Sequence, residues 1–351
     1  MRGYTMKSTS FVTPDNRWHD PRTDVVFAAL TTAAGGANVA TNVSLATLGR
    51  WRIGGPADFV VTPNNAASLG QVLAAIDMLG VPRVIIGDGS NLLFDDDGFR
   101  GVIIRIGRAL NGLTVGNDGI VDAGAGIWVP TFVRRVIHAG LSGAVHAIGI
   151  PGTLGGLVTM NGGSQRRGIG ENVVYVDAFD RHGEMHRLDH AALAYSYRAS
   201  RLQTGDLIVT SARLRFAPGD RTAMHREARS ILRARRNKFP RVRANCGSVF
   251  VSDPKLYDLI GPPGMAIERV GLKGTAIGGA QFSPEHANFI VNNGGARASD
   301  VLALIRIARD RVADISGIYM DAEVRYLAPD GTMRPTHEVA DLIDVARYRG
   351  I

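Results

Sequence analysis

Hydrophobic and polar positions along the chain predict an alternation of short strands with amphipathic helices. Short apolar runs that suit strands lie at Phe59–Val61, Val84–Ile86 and Val102–Ile104, and longer strand-like runs lie at Val173–Phe179 and Leu207–Phe216. Other apolar residues recur at helical spacing, as in Leu69, Val72, Leu73 and Ile76, in Val129, Phe132, Val133, Val136 and Ile137, and in Val301, Leu304, Ile305, Ala308 and Val312. From about Thr47, the pattern is typical of alternating α/β structure.

Residues that favour helix ends mark the bounds of these helices. Pro130 suits the first turn of the second helix and Gly140 suits its end, while Ser299 suits the N-cap of the third. A further helix, rich in arginine, is predicted over 221–237, where it leads into the last part of the chain.

The length of 351 residues allows two or three domains at roughly 100–200 residues each. Residues 1–40 show little periodicity, so we expect a partly disordered N-terminal extension, followed by a region over 41–220 and a last region over 221–351. No apolar run approaches the ~18–20 residues that cross a bilayer. The single cysteine, Cys246, excludes an internal disulfide and a cysteine-built zinc site. We therefore expect a cytoplasmic protein without a metal or a membrane partner.

Positive charge is concentrated in one stretch of the chain. The formal net charge is +8, and a stretch with eight basic residues and one acid, Glu227, accounts for +7 of it. Its basic members are Arg226, Arg229, Arg233, Arg235, Arg236, Lys238, Arg241 and Arg243. Because the remainder is nearly neutral, we expect a local anion site and no nucleic-acid partner.

Glycine is also concentrated, in segments at 52–57, 87–91 and 149–163. The chain has 43 glycines, where a background of about 7% would give about 25. Glycine lets the main chain approach a ligand and leaves N–H groups free to face phosphate oxygens. The middle segment is not a Rossmann fingerprint, because Leu92 occupies the position of the third glycine. Each segment alone fits an ordinary turn, whereas three together favour a dinucleotide held by several loops.

Polar residues in the second half form three candidate segments, namely 197–200, 245–250 and 321–326. The last lies in an alternation from Ile318 to Tyr326 that predicts a strand with Glu323 and Arg325 on one face. Taken alone, these two residues fit a surface ion pair, Arg198 fits a solvated loop and Ser248 fits a turn. Cys246 fits a packing role, since no neighbour in sequence would lower its pKa.

Three glycine-containing stretches, RIGGPADFVVTP, IIGDGSNLLF and IGIPGTLGGLVTMNGG, resemble the FAD-binding half of the UDP-N-acetylenolpyruvoylglucosamine reductase family. That family has a flavin fold of the vanillyl-alcohol-oxidase/p-cresol-methylhydroxylase type, and the resemblance extends from about Thr41 to Leu327. It implies an α+β fold, in which an FAD-binding region of two subdomains over 41–220 is followed by an α/β substrate-binding domain over 221–351. The implied FAD contacts are Arg52, Gly54, Gly87, Asp88, Gly89, Ser90, Asn91, Gly149, Ile150, Pro151, Gly152, Thr153, Gly155 and Asn161.

The polar segments also resemble the catalytic motifs of that family, YRxS, GSxF and EVR, in the same order. The resemblance implies Ser248 as proton donor, with Arg198 and Glu323 completing the active site. The implied substrate contacts are Tyr197, Lys238 and Arg325, and Arg235 or Arg236 are further candidates for a phosphate clamp. Reduction of an enolpyruvyl ether develops negative charge beside a carboxylate, which a fixed guanidinium would stabilise.

The family resemblance implies reduction of UDP-N-acetylglucosamine enolpyruvate by FAD and NADPH in peptidoglycan precursor synthesis. It thus implies a nucleotide-sugar partner, and we expect a monomer or weak oligomer. Some motifs differ from the family pattern. Val251-Ser252-Asp253-Pro254 stands where the family has Lys-Asn-Pro, Asn161-Gly162-Gly163-Ser164 stands where it has Asn-Ala-Gly-Ala, and Phe239-Pro240 stands where it has Gln-Pro. These differences leave open a related flavin reductase with another enoyl or nucleotide-linked substrate. A non-catalytic flavin or nucleotide-sugar binder is a third possibility.

Overall fold

The first part of the fold is a mixed four-stranded sheet with helices on one side. This computed structural model describes residues 21–348. The sheet has the order β1-β2-β5-β3, with β1 antiparallel to β2 and the other pairs parallel. Its elements and the next short strand are α1 (Pro21–Ala34), β1 (Val39–Ser44), β2 (Pro56–Val61), α2 (Ala66–Leu79), β3 (Arg83–Ile86), β4 (Leu92–Phe94) and β5 (Phe99–Arg105).

Helix α1 corrects the expectation of a disordered extension for residues 21–40. Val26, Leu30 and Ala34 lie four positions apart on one helix face and are buried, and α1 packs against α2. The next residues belong to β1, which pairs with β2 from Val39 onward. Other apolar residues of α1, such as Val25 and Phe27, are exposed, so the apolar pattern of this segment does not indicate a single buried helix face. Residues 1–20 of the predicted extension lie outside the described residues.

The second part is an antiparallel five-stranded sheet of order β10-β9-β11-β7-β6. Helix α5 follows it and buries Met224, Ala228 and Ile231 in the same core as this sheet. The packing therefore places the boundary after α5 and not at residue 221 as expected. The elements are β6 (Leu113–Val115), β7 (Ile120–Gly124), α3 (Val129–His138), β8 (Leu141–Ser142), α4 (Leu154–Thr159), β9 (Val173–Phe179), β10 (Met185–Asp189), β11 (Ile208–Arg215), β12 (Ala217–Pro218) and α5 (Arg221–Lys238).

The third part packs short helices and strands around the long helix α8. Its elements are α6 (Pro254–Ile260), α7 (Pro263–Arg269), β13 (Ala276–Ile277), β14 (Ala280–Phe282), β15 (Ile290–Asn292), α8 (Ala298–Ser316), β16 (Arg325–Leu327), β17 (Met333–Pro335) and α9 (Thr336–Ala340). Ser299 is not the N-cap of α8 and lies in its first turn. The carboxylate of Asp96, from the first part, accepts hydrogen bonds from the N–H groups of Ala298 (2.8 Å) and Ser299 (3.3 Å) instead.

The glycine-rich segment at 52–57 joins the first and third parts. Trp51 is 1% exposed, lies in the core of the third part, and donates from Nε1 to the carbonyl of Ile290 at 2.7 Å. Gly54 has a φ of 132°, and a Cβ there would lie 2.6 Å from the Cβ of Phe94. The glycine is required for this close packing. The segment is thus a joint between two parts of the molecule.

Candidate active site

A cleft of about 990 Å³ lies where the three parts meet. Both remaining glycine-rich segments contribute to its walls, and so do Arg198, Ser248, Glu323 and Arg325. The cleft is therefore the place where the predicted catalytic and cofactor residues can act together.

Among the described residues, no helix is long and apolar enough to cross a bilayer.

The loop between β3 and β4, residues 87–91, presents unpaired main-chain N–H groups. None of these five groups donates a hydrogen bond to a described residue. Gly89 has a φ of 59°, and a Cβ there would lie 2.4 Å from the carbonyl oxygen of Leu48. The Asp88 carboxylate accepts from Nε of Arg50 at 2.5 Å, which fixes the loop from behind. Consecutive free N–H groups in such a turn suit an anion.

The second glycine segment contacts the first one directly. The Ser90 hydroxyl donates to the carbonyl of Pro151 at 3.1 Å, and a Cβ on Gly87 would lie 2.4 Å from Oγ1 of Thr153. Gly152 has a φ of 137°, and the N–H groups of Gly152 and Thr153 also have no acceptor among the described residues. Two adjoining loops with free N–H groups beside apolar walls fit the diphosphate and rings of FAD.

Most predicted cofactor contacts line the cleft, whereas four of them do not. Arg52 and Gly54 belong to the joint described above, and they are absent from the cleft wall. Gly149 lies behind the wall, where a Cβ would be 2.3 Å from Cδ of Arg235. Asn161 has a φ of 42° and supports a loop: it donates from Nδ2 to the carbonyl of Ser196 at 2.7 Å. These four residues shape the site from outside the cleft.

Arg198 lies on that supported loop in a left-handed backbone conformation, with a φ of 56°. Gln203 donates to its carbonyl at 2.8 Å, and Nη2 of Arg198 donates to the carbonyl of Gly163 at 2.9 Å. Its Nε lies 3.4 Å from Oε1 of Glu323, and this Nε is buried without a hydrogen bond. The guanidinium is therefore fixed at one edge and has an unsatisfied donor at the other. For a non-glycine residue, such a φ is a strain that often occurs at functional sites.

Ser248 and Glu323 are brought together by a short antiparallel contact between their segments. The N–H of Glu323 donates to the carbonyl of Val249 at 2.8 Å, and the N–H of Val251 donates to the carbonyl of Asp321 at 2.9 Å. Asn288 binds both main-chain groups of Phe250 through its side-chain amide, at 2.9 and 3.0 Å. Ser248 itself lines the cleft.

The predicted strand over 318–326 is wrong in extent, since β16 begins only at Arg325. Burial nevertheless alternates as expected, with Met320, Ala322 and Val324 buried. Side chains and neighbouring loops, not a strand ladder, bind the main chain before Arg325. For example, the side-chain amide of Asn91 donates to the carbonyl of Glu323 at 3.1 Å. This bond links the catalytic segment to the first glycine loop.

Burial sets the charge balance of the site. It raises the pKa of Glu323, and the nearby charge of Arg198 opposes that shift. Burial also lowers the pKa of Arg235 to about 10, with a further contribution from Arg198. Two guanidinium groups thus face one cleft that contains a carboxyl with a raised pKa, and an anionic ligand would relieve the repulsion between the two cations.

Among the residues predicted for substrate, Arg325 lines the cleft, while Tyr197 and Lys238 do not. Tyr197 is 63% exposed, and Lys238 is exposed at the end of α5. Arg235 lies on the cleft wall instead, with its guanidinium carbon 4.4 Å from the centre of the Phe239 ring. No local pattern distinguishes it from the neighbouring arginines. The supporting roles of Asn288 and Gln203 were also missed, because they depend on contacts distant in sequence.

Cys246 has the packing role expected for it. Its thiol is buried, donates to the carbonyl of Leu92 at 3.4 Å, and has its pKa raised by burial to about 12. A thiol of this kind is a poor nucleophile at neutral pH.

Family models match two stretches of the chain. Residues 57–189 match an FAD binding domain, and residues 239–327 match the C-terminal domain of UDP-N-acetylenolpyruvoylglucosamine reductase. The second match begins directly after α5, in agreement with the packing of that helix.

Individual relatives cover most of the chain. UDP-N-acetylenolpyruvoylglucosamine reductase 1 of Corynebacterium glutamicum is 46% identical over 302 residues, which are 86% of this chain and 90% of that protein. The reductase of Heliobacterium modesticaldum is 42% identical, over 80% of this chain and 88% of that protein. The fold is also similar to the crystal structure of the Thermus caldophilus reductase, with a TM-score of 0.68 and 32% sequence identity. This match covers 81% of this chain and 97% of that one.

Proposed function

This chain belongs to the family of UDP-N-acetylenolpyruvoylglucosamine reductases, and on that premise we propose that it reduces UDP-N-acetylglucosamine enolpyruvate to UDP-N-acetylmuramate. The protein is an FAD-dependent oxidoreductase of peptidoglycan precursor synthesis. The observation that carries the proposal is the arrangement of Arg198, Ser248 and Glu323 on one cleft with two loops of free N–H groups.

Each side chain of this arrangement has a role that its contacts support. FAD, when bound on residues 87–91 and 150–155, supplies the hydride for the enolpyruvyl double bond. Arg198 stabilises the negative charge that develops next to the substrate carboxylate, since its buried Nε has no hydrogen-bond acceptor among the described residues. The Ser248 hydroxyl delivers the proton that completes the reduction. Glu323, whose pKa burial raises, donates a hydrogen bond to a carboxylate oxygen when it is protonated.

Arg235 is the proposed ligand of the substrate diphosphate. It is the member of the basic α5 stretch that lines the cleft, and burial weakens its hold on its proton. A phosphate oxygen would compensate the desolvated guanidinium with charge-assisted hydrogen bonds. Lys238, which the resemblance implies as a substrate contact, is exposed and lies outside the cleft wall.

The hydride donor that we propose is NADPH, which would use the substrate side of the same cleft in turn. A reduced dinucleotide and a chain with one buried cysteine suit a reducing cytoplasm. We propose further that the protein acts as a monomer or weak oligomer. The alternative of a paralogue with another enoyl substrate is not favoured, because relatives named for one activity match along most of their length.

Two half-reactions test this function. Purified protein should be yellow, and anaerobic NADPH should bleach the flavin absorbance. The enolpyruvyl substrate should restore that absorbance, whereas UDP-N-acetylglucosamine, which lacks the enolpyruvyl group, should not. A colourless protein that takes up no FAD would contradict the cofactor, and restoration only by unrelated enoyl acids would contradict the substrate.

Replacement of the proposed proton donor separates the two half-reactions. Ser248→Ala should leave flavin reduction by NADPH nearly unchanged and slow reoxidation by roughly 10²–10⁴-fold, the usual value of a general acid. Stopped-flow absorbance of both steps measures this. Ser230→Ala on the exposed face of α5 is the control. Normal reoxidation in Ser248→Ala would remove Ser248 from the proposed role.

A further inference from the structure

The chain continues past the matched C-terminal domain and folds back on the catalytic segment. The family model ends at residue 327, and residues 328–341, here the C-terminal clasp, follow it and contain β17 and α9. Strand β17 pairs antiparallel with β16, with Pro335 opposite Arg325. Met333 and Gly331 of the clasp also line the cleft. The clasp is therefore in direct contact with the end of the segment that carries Glu323.

Helix α9 of the clasp binds the main chain on both sides of Glu323. Nδ1 of His337 accepts a hydrogen bond from the N–H of Ala322 at 2.9 Å. The N–H of Thr336 donates to the carbonyl of Val324 at 2.9 Å. Because Ala322 and Val324 are buried, neither group has ready access to water as a substitute partner. The two residues that flank Glu323 are thus held by one short helix.

The ring of His337 has a defined protonation in this arrangement. Nδ1 accepts, so the proton of the neutral ring is on Nε2, which lies 3.5 Å from Oδ1 of Asp321. Asp341, at the end of the same helix, binds the buried Arg309 of α8, at 3.1 and 2.9 Å. Arg309 in turn donates to the carbonyl of Met320. The segment before Glu323 is consequently held at Met320 and at Ala322 by one side-chain network.

We propose that His337 is a positioning residue, which fixes the carboxyl of Glu323 against Arg198 by accepting the N–H of Ala322. The proposal rests on the proposed function, since it takes Glu323 as part of the active site. The carboxyl is 3.4 Å from Nε of Arg198, a separation that depends on where the main chain of Glu323 lies. The opposite side of this segment is held by Val249 and Asn91, so the loss of His337 would release one side only.

Protonation of His337 would abolish the contact, because the imidazolium has no acceptor. Burial lowers the pKa of His337 from its usual 6.5. The charged groups around it are Asp321 and Arg309 from the packed elements, and Glu338 and Asp341 on its own helix. The neutral ring therefore persists at neutral pH, and the contact is lost as the pH falls through the lowered pKa. This gives the positioning role a signature in the pH profile.

The test compares His337→Leu, which lacks the acceptor, with His337→Asn, whose Oδ1 can take the place of Nδ1. In His337→Leu, reoxidation of NADPH-reduced flavin by saturating enolpyruvyl substrate should slow about 10-fold or more, with flavin reduction nearly unchanged. His337→Asn should restore most of the reoxidation rate. The wild-type rate should fall at acid pH as His337 is protonated, and His337→Asn should lack this acid-side decline. Hydrogen exchange should show faster exchange of the Ala322 amide in His337→Leu alone. His225→Leu, exposed on α5, is the control.

The outcomes distinguish this inference from the proposed function. A folded His337→Leu protein with the wild-type reoxidation rate, or with both half-reactions slowed equally, overturns the positioning role only. An acid-side decline of the same size in His337→Asn and wild type overturns it as well. If the substrate fails to reoxidise wild-type flavin, the proposed function fails and the role of His337 in it falls with it. Faster exchange at Ala322 together with selective slowing of reoxidation supports the assignment.

Discussion

Glu323 shows how one side chain can be costly for folding and useful for chemistry. The cleft withdraws its carboxyl from water, and the single nearby cation, Arg198, offsets only part of that loss. A carboxyl with a raised pKa retains its proton at pH values where an exposed one has lost it. The residue can then donate a hydrogen bond to the substrate.

We predict that Glu323→Gln gains stability relative to wild type as the pH rises. Above about 4.5, the usual pKa of this group, the unfolded chain ionises Glu323 more readily than the folded chain, so wild-type stability falls with rising pH. Glutamine has no such titration. Thermal unfolding at about pH 5 and about pH 8 should show the larger advantage at the higher pH, while Glu227→Gln, exposed on α5, should show none. An equal difference at both pH values would contradict a raised pKa.

At the level of elements, helix α5 carries many cationic side chains, and few of them line the cleft. Arg235 reaches the wall beside Gly149, whereas Arg233 and Arg236 are exposed. A helix distributes neighbouring residues around its axis, so closely spaced arginines face different surroundings. The sequence could identify the basic helix and could not select the arginine that lines the cleft.

Replacement of Arg235 should weaken nucleotide-sugar binding. Arg235→Ala removes a charge-assisted contact, and the dissociation constant for UDP-N-acetylglucosamine should rise about tenfold or more. Gly149→Ala should act in the same direction, because the added Cβ would occupy the place of the Arg235 side chain. Arg233→Ala is the matched control. Titration calorimetry measures all three, and equal weakening by Arg233→Ala would indicate general charge attraction instead.

The loop that carries Arg198 depends on Asn161, which binds Ser196 from one side and the N–H of Gly170 from the other. Asn161→Ala should therefore slow reoxidation by the substrate while the FAD content per protein stays normal. Flavin absorbance and stopped-flow kinetics measure the two quantities. Loss of FAD with an unchanged rate in the remaining holoenzyme would restore Asn161 to the cofactor role implied by the resemblance.

At the scale of the whole molecule, the parts are joined by contacts between distant residues. Trp51 inserts into the core of the third part, and Asp96 caps α8. Trp51→Ala should reduce the free energy of unfolding by roughly 3–5 kcal/mol, as for other large-to-small core changes. Trp51→Phe, which loses the bond to Ile290, should cost about 1–3 kcal/mol. Denaturant unfolding measures both, and a cost near zero for Trp51→Ala would mean that the joint does not couple the parts.

Most of the long strands, and helices α2, α3, α5 and α8, were predictable because their signals are local. Val173–Phe179 was predicted with the bounds observed for β9, since its mostly apolar sequence can be recognised without knowledge of the partner strands. The joint at Trp51, the cap at Asp96 and the contact at His337 were not predictable, because each joins residues far apart in sequence. The glycines at 52–57 illustrate the difference: their abundance was visible in the sequence, whereas the close packing of Gly54 against Phe94 was visible only in three dimensions.

Strand β4 pairs in parallel with β16, so that Leu92 lies opposite Arg325. In the described sheet β4 has no other neighbour, and it directly follows the loop at 87–91. During synthesis on the ribosome, this early strand must therefore wait until almost the entire chain has emerged before it finds its partner. Contacts of such long sequence separation form slowly. Nascent chains stopped before residue 325 should consequently leave this loop open to proteases.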